Sequence, residues 1–219
     1  MLVFVAIPAS AAQVPCTPEN LHPEAGVPGM DNSILSLAVL PDGDLIAGGK
    51  FTTAGGVAAN NIARYNPTTG IWSALGAGVN SDVQALAVLP GGDIIAGGFF
   101  TTAGGATAST IARYNPTTGV WSPLGAGMNS DVGALAVLPG GDVIAGGSFT
   151  TAGGVAASTI ARYNPTTGVW SALGAGVNNY VGALAVLPGG DVIVGGFFTT
   201  AGGVAATNIA RYNPTTGVW

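Results

Sequence analysis

Apolar positions in this chain come in short runs, and Gly, Pro, Asn and Asp break the runs at regular intervals. Residues 83–89 (VQALAVL) are one such run, of strand length. Residues 90–93 (PGGD) then form a tight turn, and the matching Asp42-Gly43 predicts a two-residue hairpin loop. A second strand is expected over 93–100 (DIIAGGFF) and a longer loop of small residues over 101–109 (TTAGGATAS). Residues 110–114 (TIARY) read as a third strand. Residues 115–119 (NPTTG) read as a turn, with Pro suited to its second position and Gly to a positive φ. Residues 120–124 (VWSPL) complete a fourth strand, and 125–131 lead onward. No segment has helical periodicity with caps.

The pattern repeats. Trp72, Trp121, Trp170 and Trp219 stand 49 residues apart, as do Arg64, Arg113, Arg162 and Arg211. Residues 73–121 and 122–170 differ at only seven positions, so one structural unit has been duplicated. A period near 50 belongs to propellers and repeat arrays.

Both faces of the first strands are apolar. Val83, Ala85, Ala87 and Leu89 lie on one face, Leu86 and Val88 on the other. A lone four-stranded sheet cannot bury two apolar faces, whereas sheets stacked face to face bury both. The expected fold is therefore all-β: a β-propeller of four near-identical 49-residue, four-stranded blades. The blades are placed at about 29–75, 76–124, 125–173 and 174–219, with the alanines where blades crowd toward the axis. Trp219 stops where its equivalents continue as Ser73-Ala74-Leu75, so the expectation is a fragment or an incompletely closed ring. A closed four-bladed ring, an open arc and self-association that completes a larger ring all stay open. If the ring closes, residues 20–28 are expected to supply the missing strand.

Composition narrows the function. Only 7% of residues are charged and net charge is −5. The basic residues are Lys50 and one arginine per repeat, which gives no patch for phosphates; nucleic acid and anionic membranes are disfavoured as partners. Residues 1–7 are apolar and Ala9-Ser10-Ala11 has the form of a signal-peptidase site, although no Lys or Arg precedes Lys50. A clipped signal peptide is expected over 1–12 and a leader over 13–28, making the protein secreted or exposed on a cell surface. The run is too short for membrane insertion, and Val14-Pro15-Cys16 does not resemble a lipoprotein box.

A strand ending in Gly-Gly, then one carrying Tyr, then one carrying Trp resembles the kelch-type blade. Here these are IIAGG, ARYNP and GVW. The string IARYNPTTGVWSALGAGV resembles secreted kelch-like repeats of bacterial surface proteins and the repeats of cortical polarity-marker proteins. The resemblance covers about 29–219 and implies a propeller fold. It implies little about activity, since such propellers host many functions. Kelch-like oxidases need Tyr, His and Cys around copper, and this chain does not supply that set.

The repeats hold no His, Cys or Glu. A Ser-His-Asp triad would need His22 in the leader, and zinc has no ligand set. No enzyme activity and no cofactor are expected. Asp42, Asp93, Asp142 and Asp191 follow prolines in hairpin turns, where Asp is a turn former. No Asp lies in a calcium-loop pattern; a metal is a minority option, best placed at Asn80-Ser81-Asp82. Arg64, Arg113, Arg162 and Arg211 are expected to be structural, with stems buried between blades and carboxylate or carbonyl partners. The alternative is an anion-binding ring. Trp72, Trp121 and Trp170 are expected as inter-blade core.

The unequal positions carry more information. Lys50, Phe99, Ser148 and Phe197 share one place; Leu35, Gln84, Gly133 and Gly182 share another; Tyr180 replaces Asp82 and Asp131. The candidate contact face is therefore Asn80, Asp82, Asn129, Asp131, Asn178, Tyr180, Lys50, Phe99 and Phe197. It is borne on loops 52–60, 101–109, 150–158 and 199–207 and on 76–82, 125–131 and 174–180. The expected function is a non-catalytic scaffold contacting an unknown protein or glycan. Rival readings are a lectin-like propeller and the non-catalytic part of a larger extracellular enzyme.

Overall fold

The computed structural model describes residues 29–219, and every regular element among them is a β-strand. The expected signal peptide, the leader and the closing strand at 20–28 lie outside the described residues.

Each unit builds one antiparallel sheet. In the first, β1 (Ile34–Val39), β2 (Leu45–Gly49), β5 (Ile62–Asn66) and β6 (Ile71–Ala74) lie side by side in that order. The second repeats this with β7 (Val83–Val88), β8 (Ile94–Gly98), β11 (Ile111–Asn115) and β12 (Val120–Pro123). The third uses β13 (Val132–Val137), β14 (Val143–Gly147), β17 (Ile160–Asn164) and β18 (Val169–Ala172). The fourth has three strands, β19 (Val181–Val186), β20 (Val192–Gly196) and β23 (Ile209–Tyr212), continued by a single bridge between Asn213 and Val218.

Two local expectations need correction. The loop expected at 101–109 contains a small hairpin, β9 (Thr102–Ala103) and β10 (Ala106–Thr107). Gly104 and Gly105 form its two-residue turn with φ of +60° and +85°, the left-handed pair that this tight turn requires. Its counterparts are β3–β4 (Thr53–Ala54, Val57–Ala58), β15–β16 (Thr151–Ala152, Val155–Ala156) and β21–β22 (Thr200–Ala201, Val204–Ala205). The turn after β1 has three residues rather than two. The Leu40 N–H donates to the Asp44 carbonyl at 2.8 Å across Pro41, Asp42 and Gly43.

The core lies between the sheets. Leu40, Ile46, Ile62 and Leu75 of the first unit pack with Val83, Leu86, Ile94 and Phe100 of the second. The same set recurs between the second and third units, and between the third and fourth. The Gly-Gly pairs are explained by this stacking. A Cβ at Gly97 would lie 2.6 Å from Val132 Cγ1 of the next sheet, and one at Gly98 would strike the Asp82 carbonyl. Phe51, Phe100, Phe149 and Phe198 are the largest fully buried side chains. Phe51 fills a pocket of small residues, Ala47, Ala54, Ala59 and Ala63, between the small hairpin and the sheet. Burying one such ring contributes about 1.5–3 kcal/mol.

First strands pack on first strands: β1 on β7, β7 on β13, and β13 on β19. The alanines at Ala85 and Ala87 are buried there. β1 and β19 stand at the two ends of the row, and no sheet closes on itself. The described residues therefore form four blades of an incomplete propeller.

Candidate binding face

The two ends of each blade differ in chemistry. At the turn end, Asp93 is buried and accepts from Arg113 Nε at 2.5 Å and from Asn115 Nδ2 at 2.9 Å. Asp142 and Asp191 make the same pair of bonds with Arg162 and Asn164, and with Arg211 and Asn213. In the first unit the equivalent acid is Asp44, not Asp42. Arg64 Nε donates to Asp44 at 2.5 Å and its terminal nitrogen to Asp42 at 2.8 Å. The Asp44 carboxylate, opposed in part by burial, holds the Arg64 guanidinium above its ordinary value.

The arginines have the carboxylate partners expected of them, and their side chains are partly exposed, Arg113 39% and Arg211 67%. A shallow depression of about 380 Å³ at this end is lined by Leu138, Pro139, Asp142, Arg162, Asn164 and Pro214. The Arg162 fork there is already committed to Asp142.

At the loop end, the asparagines of the candidate face act as staples. Asn80 Oδ1 accepts from the Thr101 and Thr102 N–H groups at 2.8 and 2.9 Å, and Nδ2 donates to Thr101 Oγ1 at 2.9 Å. Asn129 and Asn178 repeat the pattern on Thr150–Thr151 and Thr199–Thr200. Asp31 takes this place in the first unit, where it accepts from the Thr52 hydroxyl instead. That hydroxyl, with the Thr53 N–H, holds its carboxyl below the usual range. The staples fasten each inter-blade loop to a small hairpin, and bridges from Val79 to Ala103 and from Met128 to Ala152 complete the seam.

The unequal residues form a row along this fastened end. Lys50 of the first blade reaches Asp82 of the second at 3.0 Å. Phe99 takes the place of Lys50 one blade on, and is 49% exposed. Asp131 is nearly buried and accepts from Ser130 Oγ at 3.1 Å. In the fourth blade the Tyr180 ring stacks on Phe197, with centroids 6.0 Å apart and planes at 21°. Phe197 is 73% exposed.

Position 84 and its equivalents explain part of this variation. Each first strand carries a bulge there, between Val83 and Ala85 in β7 and between Val132 and Ala134 in β13. A bulge turns its extra side chain out of the pleat. At Gly133 and Gly182 a Cβ would meet the Tyr180 ring or hydroxyl, so the glycines make room for Tyr180 where Gln84 stands elsewhere. Burial, and then the Asp131 carboxylate, push the Tyr180 phenol above its ordinary value. Among the described residues no three His, Cys, Asp or Glu side chains converge, the Asn80-Ser81-Asp82 loop included. No helix among them is long and apolar enough to cross a membrane.

Comparison with known proteins agrees with this architecture. The Rax2 C-terminal beta propeller domain matches residues 17–135 and 122–219. The chain belongs to that family. No curated protein matches it. Among solved structures, this propeller-family chain is similar to the extracellular domain of the one-component system BT4673 from B. thetaiotaomicron, at 17% identity and a TM-score of 0.54. That likeness covers 82% of this chain and 21% of the other. A structure described as the extracellular domain of the hybrid two-component system BT4673 gives 17% identity and a TM-score of 0.56, covering 83% and 22%. The chain thus spans about a fifth of the length of the solved structures it matches. At that identity the likeness speaks for the fold alone.

Proposed function

We propose that the chain is a non-catalytic binding part of a secreted or cell-surface protein, contacting a protein or a glycan through the loop end of its blades. One observation carries this. Near-identical units change chemical class at few places, and three of these, at Lys50, Asp82 and Gln84 and their equivalents, lie together at the loop end. Along the row the side chains pass from the Lys50–Asp82 pair to the stack of half-buried Tyr180 on exposed Phe197. Loops fastened to a rigid scaffold are the usual place for recognition. The turn end, by contrast, repeats one Arg–Asp–Asn arrangement in every blade, as a structural device would. That the similar solved structures are extracellular domains is in keeping with the proposed location.

The test uses Phe99→Ser and Phe197→Ser together, since Ser148 holds that place in the third blade. Parent and variant are compared on a glycan array and in capture of proteins from a cell surface. The expected result is a ligand that the variant loses by tenfold or more while melting like the parent. Glycan hits would favour the lectin-like reading, which the exposed aromatic stack supports. A ligand bound equally by parent and variant would overturn the assignment of the face.

A further inference from the structure

The junctions between blades carry the same pair of positions at the loop end, with a different chemistry at each. At the first junction Lys50 of one blade meets Asp82 of the next at 3.0 Å. At the second, Phe99 stands in the place of Lys50 and Asp131 in the place of Asp82. At the third, the pair is Ser148 and Tyr180. The second junction keeps the acid and lacks the cation.

Asp131 is 9% exposed. The other buried acids, Asp44, Asp93, Asp142 and Asp191, each pair with an arginine. Asp131 pairs with none among the described residues, where its side-chain partner is the Ser130 hydroxyl, on Oδ1. A carboxylate taken out of water is costly unless it is paired. The chain has no lysine or arginine left for it. Lys50, Arg64, Arg113, Arg162 and Arg211 are all of those it has, and each is committed to another acid. Asp131 Oδ2 has no partner among the described residues, yet it is not sealed from solvent.

Two aromatic side chains belong to this place. Phe99 holds the position from which Lys50 reaches its acid one blade earlier. It is half-exposed with a blade on either side, so its exposure does not come from an end of the row. Tyr180 approaches from the following blade: a Cβ at Gly133, two residues beyond Asp131, would lie 2.3 Å from its hydroxyl. An ammonium group is attracted both to a carboxylate and to an aromatic face.

We propose that Asp131, with Phe99 and Tyr180 beside it, receives the ammonium group of a lysine side chain presented by a protein partner. The proposal rests on the loop end being the binding face, and it names what that face recognises. Lys50 on Asp82 is the internal precedent for the contact. The partner's lysine supplies the cation missing from the second junction, and its apolar stem lies against Phe99.

The experiment is an NMR titration of the full chain with a short blocked peptide carrying one lysine. The same peptide with that lysine acetylated, and a glucosamine oligosaccharide, are the comparison probes. The lysine peptide is expected to shift the amides of Phe99, Asp131 and Tyr180, and the acetylated peptide to leave them in place. Asp131→Asn should weaken binding tenfold or more while still accepting from Ser130, so that it melts no lower than the parent. Phe99→Lys should weaken it as much and melt above the parent, because its own ammonium then fills the site. Asp42→Asn, the same change of charge at the turn end, should bind as the parent does. A lysine peptide that binds parent, Asp131→Asn and Phe99→Lys alike, or that shifts none of the three amides, would overturn the proposal. So would preference for the amino sugar, which would make the ligand a glycan. A captured ligand that depends on Phe99 and Phe197 but not on Asp131 would sink this inference and leave the binding face standing.

Discussion

Trp121 donates its indole N–H to the carbonyl of Leu75, 2.8 Å away and one blade back along the chain. Trp170 and Trp219 make the same bond to Leu124 and Leu173. The ring also packs under the small hairpin of its own unit, where a Cβ on Gly104 would lie 2.8 Å from Trp121 Cβ. One side chain therefore ties together an outer strand, a hairpin and the neighbouring blade. Trp121→Phe keeps most of the apolar surface but removes the indole donor from the Leu75 carbonyl, which keeps the Gly78 N–H at 3.1 Å. The expected cost of the lost hydrogen bond is about 0.5–1.5 kcal/mol, read as a lower urea midpoint.

The Arg113–Asp93 pair sets a second expectation. Arg113→Met leaves the buried Asp93 carboxylate with Asn115 as its remaining side-chain partner. Removing one partner of a buried acid costs about 1–4 kcal/mol, at the low end here because Arg113 is partly in solvent. Arg211→Met should cost less still, since Arg211 is mostly exposed. Urea melts of the two variants check the order; equal losses would contradict it.

A gain of stability is expected at Thr110. It holds a positive φ of 62°, which a β-branched residue adopts only under strain, and its hydroxyl is buried with no partner. Asn61, at the same place in the first unit, shares the conformation but donates Nδ2 to the Val79 carbonyl at 2.8 Å. Thr110→Asn should therefore stabilise by about 1–2 kcal/mol and raise Tm by about 2–8 °C. Thr159→Asn should gain less, because the Thr159 hydroxyl already donates within reach of the Ser158 and Val177 carbonyls. Calorimetry of both variants separates the two cases.

Asp31 gives the first unit an acid-sensitive seam. Its carboxyl is held below the ordinary carboxylate range by the Thr52 hydroxyl first, then by the Thr53 N–H. A lowered folded value favours the folded state above the unfolded pKa, and that contribution is lost as pH falls through the folded value. Asp31→Asn installs the staple used by the other three blades. Near neutrality the variant should melt close to the parent. Below about pH 4, the ordinary carboxylate range, it should hold its first-unit amide protection better in hydrogen exchange.

Much of the fold was legible because the repeat displays the same pattern four times. The turn at 115–119 is one case: Asn115 Oδ1 accepts from Thr118 N–H at 2.8 Å, as its residue types imply. The hairpin at 102–107 was missed although Gly104-Gly105 is a hairpin signal, because its strands are two residues long and made of Ala and Thr. Asp44 was passed over for Asp42, since the first unit carries two acids after Pro41 where the others carry one. Phe100 reads as the end of a strand, and only the packed hairpin shows it as a plug.

The candidate face was partly legible. Divergence between copies picked out the Lys50, Asp82 and Gln84 positions and Tyr180, which the structure gathers at one end. The same reasoning included Asn80, Asn129 and Asn178, whose amides are spent on the following hairpin. A constant polar residue in a loop has the same sequence signature whether it faces a ligand or caps its own backbone. Gly133 and Gly182 read as drift, but they clear space for the ring of Tyr180, which stands just before the strand of Gly182 and reaches Gly133 of the preceding blade, a contact no local pattern reveals.

Hydroxyl-radical footprinting with and without a captured ligand tests the binding face most directly. The account expects protection at Phe99, Tyr180 and Phe197, with Pro116 and Pro165 at the turn end labelled as before. Protection of the turn end, with Phe99, Tyr180 and Phe197 unchanged, would contradict it.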